Sequence, residues 1–598
     1  MTGNAVAPLR PALPPVMPPP LAALRQVRVR RWIVTGLNAL TITGLFAAMA
    51  VLLGMGGFTV AEGVMLFAYM LTLPWLSIGF WNGVIGFLIA LRAKDPAAYV
   101  NPAAGRQVAD SPITSRTAVI MAIRNEDVAT VIARLEAMHA DLAQSGWGRR
   151  FAFHILSDTS DPAIAAAEET EIEKWRRRAS RLIPIHYRRR TENAGFKAGN
   201  IADFCAGFHG QYDYFLPLDA DSRMSAKAIL RLVRIMQASP EIGILQGLVV
   251  GSPSRTFFTR AFQFGMRHGM RSYTLGSAWW QADCGPFWGH NAVIRMDAFH
   301  AHCQLPVLPG TGPFSGHILS HDQVEAVLMR RAGYEVRVLA EEDESFEENP
   351  PSLPDFIKRE IRWCQGNMQY FRLLGMPGLQ QTSRVQLLLA ILMYVSGPAW
   401  LLFITAGAAM AIFTDQFASV PLGYGLGLFA VIMTFNLTPK IMGMAQSFAQ
   451  RSVADTYGGR ARIMAGGAAE FLFSMLMAPS VALAVAMCCI GLVMGKRIRW
   501  DAQQRSRDFL SLREAARSLW PQTLYGAALL GGLGWYAPWA LAFGSLIVAP
   551  LCLVVLMASA STAPRLGEQS RQLGLFDIPE DRAGLCHPVL ETVAPQAA

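Results

Sequence analysis

The chain has 598 residues, 52% of them hydrophobic and only 16% charged, a balance too apolar for an ordinary soluble protein and a length that allows several domains. Its net charge of +10 raises nucleic acid as a partner, but the placement of the basic residues argues against it. Arg25, Arg28, Arg30 and Arg31 precede the first apolar run and Arg92 and Lys94 follow the second. Lys440, Arg451, Arg460, Arg462, Lys496, Arg497, Arg499, Arg565 and Arg571 fill later connections, whereas the connections 56–62, 415–421 and 536–539 contain no Lys or Arg. This is the positive-inside pattern of a multi-pass membrane protein with both termini cytoplasmic.

In chain order, the start MTGNAVAPLRPALPPVMPPPL is Pro-rich and has no apolar core of signal-peptide type, so residues 1–24 read as a flexible cytoplasmic tail. Residues 25–95 form a membrane block of two spans, each run long enough for a hydrocarbon core of about 30 Å. Residues 96–348 have ordinary soluble composition. There RTAVIMAI, FAFHILS, RLIPIHY, YDYFLPL and IGILQGLVV alternate with amphipathic helical runs, which predicts a mainly parallel sheet covered on both faces. Residues 349–380 predict an amphipathic interfacial helix, residues 381–560 a second membrane block of about six spans, and residues 561–598 a cytoplasmic tail. Basic residues flank 466–495 on both sides, so that stretch is expected to be a hairpin broken near Pro479, giving eight spans in all. The eight cysteines are scattered, only Cys488 and Cys489 being adjacent, and predict neither a disulfide framework nor a zinc site. No repeat of solenoid spacing is present.

Parallel sheets bind ligands beyond the carboxyl ends of their strands, and here carboxylates recur at those ends. FAFHILS runs into Asp158, and YDYFLPL runs into Asp219 and Asp221, one residue apart. Two carboxylates so spaced can share a hard divalent cation, Mg²⁺ or Mn²⁺, that neutralises a diphosphate; alone, the pair suits a turn or a helix cap as well. In NAGFKAGN, Lys197 stands between small residues at the opening of a helix, where an ammonium and backbone N–H groups can meet phosphate; the other reading is a solvated surface lysine. In ILSHDQVEAV, Asp322 is a cleft base or a helix-terminal carboxylate. In LPDFIKREIRWCQGNMQYFRLL, Ile357, Ile361, Cys364, Met368 and Phe371 define one narrow helical stripe. Arg362 and Trp363 fall to either side of it, free to face the catalytic domain if the stripe lies on the membrane, or else belong to an ordinary amphipathic helix.

The order Asp158, Asp219-x-Asp221, Asp322, Arg362-Trp363, in a domain between membrane blocks, resembles the processive family 2 glycosyltransferases, which include cellulose and hyaluronan synthases. MAIRNEDV, ILSDTSDP, YRRRTENAGFKAGNIADFC, FWGHNAVIR, ILSHDQVEAVLMRRAGY, REIRWCQGN and LFDIPED are similar to the glucan biosynthesis glucosyltransferase H family over nearly the whole chain. The resemblance implies an α/β GT-A (Rossmann-like) cytoplasmic catalytic domain inserted between α-helical transmembrane blocks of the bacterial inner membrane. It implies polymerisation of glucose from UDP-glucose into the β-1,2-linked backbone of osmoregulated periplasmic glucans. By position, Asp158 would contact the uridine, Lys197 the diphosphate, and Asp219 and Asp221 the divalent metal with its diphosphate. Asp322 would be the base, Arg362 a diphosphate ligand, and Trp363, Trp288 and His290 acceptor contacts, although Trp288 read from the residues alone is core packing. The implied partners are UDP-glucose, the growing β-glucan, membrane lipid, acyl carrier protein and periplasmic glucan-processing proteins, with no nucleic acid.

Two departures stand out. Arg359 occupies the position of Gln in the wider Gln-x-x-Arg-Trp pattern, and Ser320-His321-Asp322 replaces the usual Thr-Glu-Asp. A UDP leaving group needs no proton when cationic groups absorb its charge, so one base suffices where glycoside hydrolysis needs two carboxylates. Two other readings are a synthase of another polymer such as β-1,4-glucan and a transporter with a regulatory cytoplasmic domain. The short stretch after Ala560 argues against the cyclic-dinucleotide-binding arrangement usual in bacterial cellulose synthases. The transporter needs charged groups at mid-membrane, for which Glu470 is the one candidate.

Overall fold

The computed structural model describes residues 21–105, 111–414, 421–498 and 509–582. The Pro-rich start, most of the connection 415–421 that lacks Lys and Arg, Arg499 and the tail beyond residue 582 lie outside the described residues.

The α/β domain is built on one eight-stranded sheet: β1 (Thr117–Ile123), β2 (Phe151–Ser157), β3 (Ile185–Arg189), β4 (Tyr214–Leu218), β5 (Arg223–Met224), β6 (Ile242–Gly251), β7 (Ala292–Arg295) and β8 (Glu335–Glu347). The order is β3-β2-β1-β4-β7-β6-β8-β5. β1 runs parallel to β2 and β4, and β2 parallel to β3. These are the apolar runs of the sequence, and β2 and β4 are buried along their whole length, as strands covered on both faces must be. Helices on the two faces close separate cores, one holding Val119, Phe153 and Leu216, the other Ile120, Leu156 and Phe215, because successive side chains of a strand point to opposite faces.

The sheet is mixed where the sequence predicts it mainly parallel. The four-residue β7 is antiparallel to both neighbours, β4 and β6, and is too short to show a period. β8 was hidden by its acidic second half, AEEDESFE. Those carboxylates are accommodated by arginines from packed helices: Arg231 pairs with Glu341 at 2.8 Å and Arg267 with Glu342 at 2.6 Å. The third strand starts at Ile185 rather than at Arg181, since Phe153 pairs with Ile185 and donates to the carbonyl of Pro184 at 2.9 Å.

Among the described residues six helices are long and apolar enough to cross a membrane: Arg25–Gly54, Val60–Arg92, Gln381–Phe413, Leu422–Ala449, Arg460–Val493 and Pro538–Thr562. Leu512–Tyr536 packs along the last of these but carries Arg513, Glu514 and Arg517 near its start. The expected hairpin at Pro479 does not exist: Arg460–Val493 is one continuous helix with Pro479 inside it. Proline removes one backbone hydrogen bond, which an otherwise apolar, packed helix tolerates.

Both ends of this helix meet the α/β domain or segments packed on it. At its start, Ile463 packs with Phe264 of the interface helix Phe257–Gln281, and Arg462 lies 3.7 Å from Asp577, itself docked on that helix. At its end, Cys489 Sγ is 3.6 Å from Cys364 Sγ, the amide of Ile498 donates to Gln365 Oε1 at 3.0 Å, and Arg497 donates to the carbonyl of Thr311. Both flanks of the one unbroken helix therefore make contacts with the α/β domain or with segments docked on it. Glu470 is buried and paired with Lys440 at 2.6 Å, which gives its charge a structural role.

The LFDIPED segment folds back onto the interface helix. Phe576 is buried beside Phe257 and Phe264, and the buried Arg260 pairs with Asp577 at 2.9 Å and Asp581 at 3.2 Å while donating to the carbonyl of Leu575 at 2.9 Å.

Candidate active site

β4 ends at Leu218, so Asp219 is the first residue past the strand and Asp221 follows in the turn. The turn is held from within: Ser222 Oγ accepts from the amide of Asp219 at 3.1 Å, and the amide of Ser222 donates to the carbonyl of Asp219 at 2.9 Å. The helix Ala226–Ala238 is capped by Ser225, so neither aspartate is its cap.

Lys197 reaches this turn from the helix Phe196–Phe208. Its ammonium pairs with the Asp219 carboxylate and donates to the carbonyl of Gly289 at 2.9 Å. The lysine is therefore directed into the cleft and is no free surface group. Gly289 has φ 84, a left-handed conformation that favours glycine. A Cβ there would stand 3.7 Å from Lys197 Nζ and 3.4 Å from Asp322 Cβ. Lys197, Asp219 and Asp322, separated widely in sequence, thus converge on one bare stretch of backbone.

Asp322 is the first residue of the helix Asp322–Arg331, whose N-cap is His321. His321 Nδ1 lies 3.0 Å from Glu325 Oε2. Burial opposes protonation of that imidazole, but Glu325 and then Asp322 outweigh it and hold its pKa above the ordinary value. The segment before Asp322 is fixed by the helix Leu353–Met368 and the tight turn Gln369–Arg372 that follows it. Gln369 accepts from the amide of Leu319 at 2.9 Å and donates to the carbonyl of His317 at 3.0 Å, and Tyr370 Oη donates to the carbonyl of Ser320 at 2.8 Å.

Along Leu353–Met368 the predicted stripe is buried at Ile357, Cys364 and Met368 and faces the long helix Arg460–Val493 in part. Phe371 leaves the stripe and is 55% exposed, because the α-helix has given way to a 3₁₀ turn with a different angular advance. Trp363 is partly exposed. The guanidinium of Arg359 lies 4.6 Å from its ring centroid and 5.2 Å from that of Phe356, so one face of the indole is occupied. Arg362, beside it, is partly buried and has interactions of its own.

Asp158 is buried at the tip of β2. Arg190 grips it with two parallel bonds, both 2.8 Å, and Asn200 donates to it at 2.8 Å. The same arginine donates to the carbonyls of Ala194 at 3.2 Å and Phe196 at 3.0 Å, pinning the loop that delivers Lys197. His290 lies 3.3 Å from Ser222 Oγ and 3.4 Å from Glu347 Oε2. Burial, with Asp221 and Asp219 nearby, raises the Glu347 pKa against the opposing His290 and Arg359. Trp288 packs against the cluster of Leu275, Ala278 and Val338 while its amide donates to Gln246 Oε1 at 2.9 Å. Arg190, Glu347, Gln369 and Tyr370 were not singled out from sequence; only Arg190, in a run of three arginines beside Lys197, carried a local signal.

The chain is similar to known proteins over most of its length. Residues 118–303 match the model of glycosyl transferase family 2, and residues 214–494 that of glycosyl transferase family group 2. The chain is 33% identical to the glucans biosynthesis glucosyltransferase H of Caulobacter vibrioides, over 94% of this chain and 86% of that one. To the protein of the same name from Vibrio cholerae it is 35% identical over 88% and 74%. To that of Pseudomonas entomophila it is 38% identical over 85% of this chain, which spans 61% of that relative's length. A mannosyltransferase from Pyrobaculum calidifontis, in complex with GDP-Man and Mn²⁺, aligns with TM-score 0.39 and 14% identity over 62% of this chain and 98% of that one. The α/β domain of a family 2 glycosyltransferase lying in the chain between apolar helices is as the sequence predicted.

Proposed function

The chain belongs to the glucans biosynthesis glucosyltransferase H family within the family 2 glycosyltransferases, and from that premise we propose that it is an inverting, UDP-glucose-dependent β-glucosyltransferase. Its product is the β-1,2-linked backbone of osmoregulated periplasmic glucans. The observation that carries this reading is the convergence of Lys197, Asp219 and Asp322 at Gly289.

In this reading Asp322 takes the proton of the acceptor hydroxyl as that oxygen attacks C1 of glucose from the face opposite UDP. Inversion of the α-linked donor gives a β-glucoside. Lys197 and Arg362 hold the diphosphate and absorb the charge left on it, so no acid is needed for departure. Asp158, fixed by Arg190 and Asn200, meets the uridine. The free face of Trp363 is a platform for the acceptor ring, and His290 and Trp288 line the acceptor side.

Asp219 and Asp221 supply carboxylate oxygens, the donors that Mg²⁺ or Mn²⁺ prefers, and Lys197 aims Asp219 into the cleft; the residues fit the implied cation. Among the described residues no group of three or more His, Cys, Asp or Glu gathers to hold a metal ion. When bound, such a cation neutralises diphosphate charge.

The protein resides in the bacterial inner membrane with the catalytic domain and both termini cytoplasmic, and its apolar helices pass the glucan outward as it grows. Inverted membrane vesicles given labelled UDP-glucose, with and without divalent metal, test the reading. A metal-dependent β-1,2 product that is lost in Asp322→Asn supports donor, linkage and base together. A β-1,4 product removes the linkage, and no incorporation from UDP-sugars by folded protein removes the enzyme reading. Product found wholly on the UDP-glucose side of sealed vesicles removes export.

A further inference from the structure

The sequence scatters the cysteines, but the fold gathers three of them. Cys364 projects from the helix Leu353–Met368, one residue after Trp363, and its Sγ lies 3.6 Å from Cys489 Sγ on the long helix Arg460–Val493. Cys488, its neighbour on that helix, has its Sγ 3.9 Å from the carbonyl of Ile361, one turn before Cys364. Cys364 is buried, whereas Cys488 and Cys489 are partly exposed.

We infer that Cys364 and Cys489 form an oxidation site, a reversible disulfide that ties the helix carrying Arg362 and Trp363 to the long helix beneath it. The two sulfurs are in contact already, so closing the bond requires a small approach of side chains between two packed helices. The oxidant is a peroxide. The partly exposed Cys489 thiol is oxidised to a sulfenic acid, the peroxide O–O bond breaking as one oxygen goes to sulfur and the other leaves as water. The Cys364 thiol then displaces the sulfenic hydroxyl, forming the S–S bond and a second water. Two thiols are oxidised by two electrons and one peroxide is reduced. A dithiol reductant restores both thiols.

The tie has a mechanical reach. The helix with Cys364 also carries Gly366, against which Ser320 packs, and leads into Gln369 and Tyr370, which hold the segment before Asp322. Fixing it to the long helix removes whatever sliding the Arg362-Trp363 pair uses as successive sugars are added.

Full-length protein in inverted vesicles is treated with hydrogen peroxide, its remaining thiols are blocked with N-ethylmaleimide, and its peptides are analysed by mass spectrometry. The expected result is a linked peptide pair containing Cys364 and Cys489, absent after dithiothreitol and in Cys489→Ser, and retained in Cys488→Ser. This readout is independent of substrate, so it stands or falls apart from the glucosyltransferase reading. Maleimide on both Cys364 and Cys489 after peroxide, or a link that persists in Cys489→Ser through Cys488, overturns the assignment. Glucose incorporation is expected to fall about tenfold or more on oxidation and to recover with dithiothreitol, with Cys489→Ser resistant. A full-strength bond with unchanged incorporation overturns the mechanical part.

Discussion

Gly366 and Ser320 touch through the absence of a side chain: a Cβ at Gly366 would stand 2.1 Å from Ser320 Oγ and 2.7 Å from the Ser320 amide nitrogen. The hydroxyl can rotate away, but the amide belongs to the backbone that leads, two residues on, to Asp322. Gly366→Ala must push that backbone. A displacement of about 1 Å at a reacting group costs on the order of a hundredfold in rate. We therefore expect kcat to fall by about that factor while the amount of membrane-inserted protein is unchanged. Wild-type turnover in this variant would show that the helix does not set the position of Asp322.

Arg190 satisfies a buried carboxylate and pins a loop at once, so its loss should act twice. Arg190→Ala leaves Asp158 buried with Asn200 as its remaining side-chain donor, and breaking a buried pair costs about 3–5 kcal/mol. Expected are a lower unfolding temperature and a raised KM for UDP-glucose. Arg190→Lys should restore little, because an ammonium cannot make the two parallel bonds. Thermal unfolding in detergent together with initial rates across UDP-glucose concentrations separates the two effects.

Glu347 has a raised pKa, first from burial and then from Asp221 and Asp219. A carboxyl whose pKa is higher in the fold than in the unfolded chain keeps its proton longer in the fold. Between the two values the fold binds more protons, so stability falls as pH rises through that window. Glu347→Gln removes the titrating group, and its unfolding temperature should exceed the wild type's above the window and lose that part of the pH dependence. An unchanged pH profile of unfolding would remove Glu347 as its source.

The C-terminal strap should detach as a unit. Arg260→Ala removes the closest cation of the buried Asp577, leaving it the longer pairs with Arg582 at 3.4 Å and Arg462 at 3.7 Å, and breaks the contact with Asp581; breaking a buried pair costs about 3–5 kcal/mol. Limited proteolysis should then cut near residues 575–582 at least tenfold faster, an order-of-magnitude expectation for opening governed by local stability. Protection equal to wild type would mean that the aromatic contacts suffice.

Legibility in the sequence followed the range of the determining contact. β1, β2 and β4, and the aspartates at the tips of β2 and β4, were readable because an apolar run, and such a run ending in Asp, is a local signal. Lys197 at a helix start was local too. The partners that fix these groups were not: Arg190 acts across to Asp158, Gln369 and Tyr370 act on a segment about fifty residues earlier, and Glu347 reaches the turn of Asp219 only through the fold. Pro479 illustrates the opposite error. Proline and two basic flanks suggested a turn, but packing against Phe264 at one end and Cys364 at the other decides for one helix. Phe371 was misplaced because a period fitted to an α-helix was carried past its end.

That long helix also constrains how the molecule is assembled. Its partners are supplied by segments made before it, by Phe264 of the interface helix and Cys364 of the helix Leu353–Met368, and by Phe576, which is made after it. Lipid can accept its apolar surface, but the contacts at its two ends are made with residues of the already synthesised domain. Its final seat therefore exists only once that domain has folded, and is closed only when the last segment of the chain arrives. Biogenesis then ends with a docking step at the domain surface, whose rate reports on the soluble part of the protein even though the helix being docked is one of its most apolar.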